Sequence, residues 1–420
     1  MPDSAKLSDF AFINPATETN GTAAEAPVAF IPMAAVVESG GWRSTENRPL
    51  SDARRGYTLF QRGDVIVAKI TPCFENGKVA LLSDLETEFG LGSTEFHVLR
   101  AKPGHDPRFI YHWTRHPAFL RAGEASMTGS AGQRRVPAGF FERFEIARIT
   151  GAPQGLIADI LDAIDDAVFE TDAVIEKLRT VHVGIIDDLL TRGLAPDGSP
   201  RKPFDLVDTK VGPRPRTWTV ENLGRFVVGA EYGTNLSLGD SSAGIPVLRM
   251  NNIQDGEFDL SDMKYAPAHA VDRFRLQRND VLFNRTNSWE HVGKAAIWRR
   301  DEPGPAFASY LVRLHCGDAL LPEFLHLWLN WAPVQRAIRQ FATPGVQQVN
   351  INPTNLRRAL IAVPDTLDEQ RAIIERVNGV AAAIEDHRRE RAKLSSLREG
   401  LRDDLLTGRK PVVAIREAAE

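Results

Sequence analysis

Cysteine is nearly missing from this chain of 420 residues: only Cys73 and Cys316 occur, far apart and outside any CxxC or Cys/His cluster. That argues against a disulfide framework and against structural zinc, and it fits a reducing cytoplasm. No apolar run is long enough to cross a bilayer. The opening MPDSAKLSDFAFINPATETNG lacks the charged-then-apolar order of a secretory signal. An excess of positive charge is also lacking, since the formal net charge is -4. Averages conceal opposed regions, however. Residues 100–150 carry nine Lys/Arg against four acids, whereas residues 154–192 carry nine acids against three bases. A basic globule followed by an acidic segment is compatible with local binding of a polyanion.

What the sequence does have is a repeat. GDVIVAKITPCFENGKVALL (63–82) and NDVLFNRTNSWEHVGKAAIW (279–298) share a plan: an Asp-led apolar strand, a polar turn-rich centre, and Gly-Lys. Asp64/Asp280, Gly77/Gly293, Lys78/Lys294 and Ser93/Ser309 are all 216 residues apart. Pro107/Pro322, Phe109/Phe324, Trp113/Trp328, Arg121/Arg336, Thr128/Thr343 and Ile146/Ile361 are 215 apart, and Gln154/Gln370 and DDLLT at 187 and 403 return to 216. A register held across two half-chains implies a tandem duplication. Residues before Val28 have little counterpart in the second half.

Each half begins with about 150 residues of short apolar runs split by Gly, Pro and Asn, which read as strands. A helix-like stretch follows (PRFIYHWTRHPAFLRAG and PEFLHLWLNWAPVQRAI), whose Trp113 and Trp328 are expected in the core. Each half then ends in a long helix. Ile157, Leu161, Ile164, Val168, Thr171, Ile175, Leu178, His182, Ile185 and Leu189 follow alternating steps of four and three, a coiled-coil seam. The copy has Ile373, Val377, Val380, Ile384, His387, Arg391, Leu394, Arg398, Leu401 and Leu405, with a polar middle that is either a register-fixing layer or a partner surface. The acid pairs Asp165-Asp166, Asp187-Asp188 and Asp403-Asp404 point in divergent directions on a helix, make poor metal ligands, and are expected to be solvated or to face a basic partner.

The expected fold is mixed α/β (α+β). Two tandem mixed domains (1–150 and 216–364) are each followed by a long helical repeat (154–192 and 368–409), with a linker at 193–215 and a tail at 410–420. The two helices are expected to pair as an antiparallel coiled coil, although a parallel pair or helices donated to partner subunits would satisfy the same heptads.

The chemistry-bearing side chains lie in polar loops. Lys69, Thr71, Asn76 and Lys78 surround the first Gly-Lys turn, where Asn76-Gly77 also suits a simple hairpin turn. Arg285, Asn287 and Lys294 correspond to them in the second half, with Arg249, Asn251 and Asn252 preceding on a strand end. A second loop offers Gln133, Arg134 and Arg135, and its counterpart Gln347, Gln348 and Asn350. Asn pairs with an adenine edge, Arg and Lys with guanine or phosphate, and Thr with either. Each would look the same as a solvated or salt-bridged surface residue.

Catalytic motifs do not emerge. Asn352-Pro353-Thr354-Asn355 lacks the aromatic that a base-flipping methyltransferase loop stacks on its target. Pro364-Asp365 followed by Asp368-Glu369-Gln370 places Gln where a magnesium-dependent nuclease needs Lys, and HExxH, GxSxG and P-loop patterns are absent.

Several blocks resemble a known family. GDVIVAKITPCFENGK, the Gln-bearing stretch after Thr128, the helix opening EQRAI and the helix end DDLLTGR look like the specificity (S) subunit of type I restriction–modification systems. The resemblance covers nearly the whole chain; the second half departs from it with TNSWEHVGK in place of TPCFENGK. It implies a non-catalytic subunit that reads a split, asymmetric double-stranded DNA site, one half-site per recognition domain. It also implies two methyltransferase subunits docked on the helices and two restriction/translocase subunits joining them. S-adenosylmethionine and ATP/Mg would belong to those partners, none to this chain. Helices of about 35 residues give roughly 50 Å, an upper bound near 15 base pairs, so half-sites would lie about one turn apart. A scaffold without DNA contact, or a subunit of a methylation-only system, are the alternatives.

Overall fold

The structure, a computed structural model, describes residues 3–412 except 20, 39, 44, 45, 131, 346 and 347. Gln347 and most of the expected tail (413–420) lie outside the described residues. The chain divides into two compact units, Met1–Ala173 with Arg388–Glu420, and Val174–His387. Each unit therefore combines one α/β part with one end of each long helix.

In the first unit, a four-stranded antiparallel sheet has the order Ala11–Ile13, Phe96–Ala101, Val65–Ala68, Val79–Leu81. The run VIVA at 65–68 is buried on both faces, which is why it reads as continuously apolar rather than alternating. Val65 and Val67 pack toward Phe109, Ile110 and Trp113 of the helix Pro107–Thr114; Ile66 and Ala68 pack toward a second sheet through Ile31 and Phe60. Burying each of Val65, Ile66 and Val67 contributes about 1.5–3 kcal/mol. The second sheet has the order Glu46–Pro49, Pro27–Ile31, Phe89–Gly92, Thr58–Gln61, with a parallel central pair. Asp106 caps the helix Pro107–Thr114 by accepting from Arg108 N, and Pro107 occupies the position whose N–H would be unused.

The second unit has the same plan at the same offset. Its antiparallel sheet runs Val227–Tyr232, Leu311–Cys316, Val281–Asn284, Ala295–Ile297. A smaller sheet pairs Ile245–Leu248 in parallel with Ala306–Phe307. Trp328 is fully buried, as Trp113 nearly is in the first unit. The stretch before Val28, which lacked a recognisable copy, does have one. Ser4–Lys6 pairs with Glu145–Ala147 as Trp218–Asn222 pairs with Leu360–Pro364, and Ala11–Ile13 takes the edge position that Val227–Tyr232 takes. Backbone ladders hold these strands, so their side chains were free to diverge.

The long helices are Ala152–Arg192 and Leu367–Leu406. In the first unit the start of one meets the end of the other, since Ile157 and Leu161 share a core with Leu405 and Leu406. In the second unit Leu189 and Leu190 share a core with Ile373, Ile374 and Val377. The pairing is thus antiparallel within each unit. The polar middle of the second helix has partners in the first unit: Arg391 Nε lies 3.2 Å from Asp172 Oδ1, and Arg398 and Arg402 lie 3.5 and 3.4 Å from Asp165.

Of the acid pairs, expected to be solvated or to face a basic partner, Asp166 and Asp187 are exposed, and the other four meet basic side chains of the chain itself. Asp165 also binds Arg115 at 2.6 Å, and Asp187 accepts from Trp331 Nε1 at 3.1 Å. Asp188 pairs with Arg192, Asp403 with Arg409, and Asp404 with Lys410. These carboxylates serve intramolecular contacts.

Two fully buried glutamines explain the most persistent element of the repeat. Gln154 Oε1 accepts from Asp106 N at 2.8 Å and its Nε2 donates to Ile149 O at 2.7 Å and contacts His105 Nδ1 at 3.1 Å. Gln370 Oε1 accepts from Leu321 N at 2.9 Å and its Nε2 donates to Ala319 O at 2.9 Å and Pro364 O at 3.3 Å. Each amide ties the start of a long helix to the turn that opens a shorter one. Gln370, which stands where a nuclease would need Lys, is a structural clamp.

The segment 193–215 is anchored at both ends. Glu369 accepts from Leu194 N at 2.9 Å and Trp218 Nε1 at 3.0 Å and forms a two-pronged pair with Arg201 at 2.5 and 2.9 Å.

Candidate functional site

In the first unit, residues 70–71 and 128–136 are laced together beyond the end of the strand Val65–Ala68. Ile70 and Thr128 both bridge to Arg135, Thr71 N donates to Arg134 O at 3.0 Å, and Val136 N donates to Lys69 O at 2.8 Å. The second unit repeats this as a three-stranded sheet. Thr286–Asn287 and Ala342–Pro344 both pair with Val349–Ile351, and Ile351 N donates to Arg285 O at 2.8 Å. Lys69 thus corresponds to Arg285, Thr71 to Asn287, and Arg135 to Asn350. The backbone of one small platform is kept while its side chains change.

The changes are chemical. On the first platform Arg135 forms a forked pair with Glu95, with Nη2 at 2.8 Å and Nε at 3.0 Å from its oxygens. The Arg135 hydrogen bond holds the Glu95 carboxyl below the usual range. Thr71 Oγ1 donates to Glu75 Oε1 at 2.7 Å, while Arg134 lies 3.8 Å from the same oxygen. Gln133 and Arg134 are exposed beside Gly132, whose φ of +84° suits glycine. On the second platform Tyr310 stands where the first has Glu95: Lys69 N donates to Glu95 O and Arg285 N to Tyr310 O. Asn350 Nδ2 donates to Thr286 Oγ1 at 2.8 Å, and Arg285 sits over the Tyr232 ring at 5.1 Å. Gln348 Nε2 contacts Met250 Sδ at 3.6 Å and Asn287 Nδ2 donates to Met250 O at 3.4 Å, which brings both beside the 249–252 turn.

The Gly-Lys turns flank the platforms. The 71–78 loop is not a two-residue hairpin. Phe74 is buried against Phe119, backbone bonds run from Phe74 N to Ile70 O and from Asn76 N to Pro72 O, and Gly77 has φ +69°. Asn76 is exposed and donates to Glu38 Oε1 at 2.7 Å, whereas half-buried Lys78 donates to Met33 O at 3.2 Å. Lys294 lies 3.9 Å from Asp255.

Asn252 is a correction. It is 1% exposed, its Oδ1 accepts from Arg249 N, and its Nδ2 donates to the carbonyls of Asp259 and Asp262. All its hydrogen-bonding capacity faces inward, so it shapes the turn and has none left for an outside partner. Arg249 binds Asp262 Oδ2 at 2.7 Å, and exposed Asn251 lies 3.4 Å from the same atom.

Sequence reasoning passed over Trp289, which is 54% exposed in the turn after Asn287, in a unit that also exposes Tyr232 and Tyr310. An apolar ring in a polar loop, where the first half has Cys73, was the available signal. His116, His326 and Cys316 lie away from the platforms. Burial lowers the His326 and His116 imidazoles to about 4 and raises the Cys316 thiol to about 12. Among the described residues no group of His, Cys, Asp or Glu is arranged to hold a metal ion, and no helix is long and apolar enough to cross a membrane.

Two α/β units with matching loop platforms, each holding one end of both long helices, define a doubled architecture. No family model matches the chain. The EcoEI type I restriction enzyme specificity subunit of Escherichia coli is 25% identical over 459 residues, covering 87% of this chain and 75% of that protein. The EcoAI specificity subunit of the same species is 42% identical over 140 residues, 32% of this chain and 23% of that one. A chain from a structure of type I R-M complex assembly and conformational transition superimposes with a TM-score of 0.59 at 18% identity, covering 97% of each chain. Over most of its length the chain is similar in sequence to a type I restriction enzyme specificity subunit, and it shares the fold of the type I R-M chain.

Proposed function

We propose that this chain is the DNA-reading subunit of a type I restriction–modification complex in the cytoplasm, and that each unit reads one half of a bipartite, asymmetric site. The supporting observation is the pair of platforms. A conserved backbone frame carries Lys69, Thr71, Gln133, Arg134 and Arg135 in one unit and Arg285, Asn287, Gln348 and Asn350 in the other. Charged donors suit guanine and phosphate, and amides suit adenine, so two versions of one frame would prefer different bases. The similarity in ladder geometry together with the sequence offset favours origin by tandem duplication.

In this reading the helices and adjoining strands dock two methyltransferase subunits, and two restriction/translocase subunits complete the assembly. S-adenosylmethionine and ATP/Mg act on those partners. Exchanging residues 216–360 for those of another specificity subunit should change one half-site and leave the other, as read by selection from a random duplex pool with the methyltransferase subunits present. If both half-sites moved, two independent readers would be ruled out. If no sequence were selected at any salt concentration, the chain would be a scaffold without DNA contact.

A further inference from the structure

The second unit contains a cavity of about 290 Å3 between the segment after the first long helix and the helices Pro322–Asn330 and Ala332–Arg339. Arg214, Trp328, Trp331 and Phe341 line it, with Lys210 and Arg358 among the other lining residues. Arg214 is 3% exposed, yet no ion pair joins it among the described residues. Its guanidinium carbon lies 5.6 Å from the Trp328 ring centre and 5.0 Å from that of Trp331. Its one hydrogen bond among the described residues runs from Nη1 to the neighbouring Pro213 O at 2.5 Å, and Nε is buried without a partner. Asp187 is nearby, but its Oδ1 accepts from Trp331 Nε1. Burial outweighs that carboxylate and lowers the Arg214 guanidinium to about 10.

A buried guanidinium with no hydrogen-bonded anion is an unusual thing to keep, because desolvating a charge is costly unless it is paired. No acidic residue lines the cavity, and exposed Lys210 and Arg358 add positive charge without a carboxylate partner among the described residues. Apart from Gln340, the remaining walls are aromatic and aliphatic. A cation would be repelled here. A fully charged phosphate would find one buried donor group and apolar walls, whereas a planar carboxylate matches the guanidinium fork.

We propose that this cavity binds a carboxylate carried on an apolar body of about the size of one amino-acid residue, with the carboxylate on Arg214 and the apolar body against Trp328, Trp331 and Phe341. Two sources share this chemistry, a free small acid and the terminal residue of a partner polypeptide. The proposal does not depend on DNA reading.

The test is calorimetric titration of the full chain with N-acetylphenylalanine, its amide, the tetrapeptide Ala-Ala-Ala-Phe as free acid, and sodium phosphate. The acid should bind at least tenfold more tightly than the amide, and Arg214→Met should lose at least tenfold. Ala337→Trp, which adds an indole at an exposed lining position, should also lose at least tenfold while circular dichroism stays unchanged. Tighter binding of the tetrapeptide than of the acetylated residue would support the site and assign it to a chain end; the reverse order would support it and assign it to a free acid. Equal binding of acid and amide, binding undiminished in Ala337→Trp, phosphate binding as tightly as the acid, or no binding of any probe to the folded chain would overturn the proposal.

Discussion

Replacing Gln370 by Leu keeps the side chain's approximate bulk and deletes three hydrogen bonds at once. Leu321 N, Ala319 O and Pro364 O lose their partner, and the Pro364 bond lies wholly inside the protein. At about 1 kcal/mol net for each bond, with a larger penalty where the orphaned group stays dry, the loss is about 3–4 kcal/mol. Against a typical stability of about 5–15 kcal/mol this is a large fraction. Gln154→Leu removes the equivalent set, but its third partner is the partly exposed His105, which water can satisfy, so about 2–3 kcal/mol is expected. Urea unfolding would read both as shifts in midpoint. Amide hydrogen exchange would localise the first effect to residues 319–325 and the second to 104–110. A loss below about 1 kcal/mol for Gln370→Leu would refute the clamp, because it would mean that the buried amide is not satisfying these groups.

Further outcomes can be checked in parallel. Asn252→Ala should cost about 2 kcal/mol of stability by releasing Arg249 N and two carbonyls, with DNA affinity per folded molecule unchanged in a salt-matched binding assay. Trp289→Ala should leave the unfolding midpoint within about 0.5 kcal/mol and weaken DNA binding by about 1–3 kcal/mol if the ring meets the duplex. Undiminished binding would remove Trp289 from the interface. His326 is held neutral by burial, its Nε2–H donating to Gly256 O at 2.8 Å, with its folded value near 4 and thus below the unfolded value near 6.5. Its contribution is complete above about pH 6.5 and is lost as pH falls toward 4, up to about 3 kcal/mol in total. His326→Gln should flatten that part of the stability profile, and an unchanged slope would exclude His326 as its source.

The parts of this molecule visible in its sequence are those where side chains, not backbone, do the holding. Gln154 and Gln370 must each reach three partners, and Asp64 and Asp280 each accept a turn amide from three residues back, so these pairs kept identity and register. Trp113 and Trp328 fill equivalent cores. By contrast, Ser4–Lys6 and Ala11–Ile13 are placed by ladder bonds that any sequence can make, and their copies in the second half were invisible. The heptads gave the helices, but not that Asp165 would be surrounded by Arg115, Arg398 and Arg402. At the candidate site the platform strands are only two or three residues long, too short for periodicity to register. Asn252 shows the reverse error: its residue type suggested reading, while its position inside a turn commits it to structure.

The first unit is interrupted in sequence by the whole of the second. Its core needs Leu405 and Leu406, about 230 residues beyond Ala173, whereas the second unit is assembled entirely from residues 174–387. On the ribosome, therefore, the later-encoded lobe has all its pieces first. The earlier one waits on the order of 10–50 s at ordinary elongation rates with Ile157 and Leu161 uncovered, an interval in which holdase chaperones would have an apolar target.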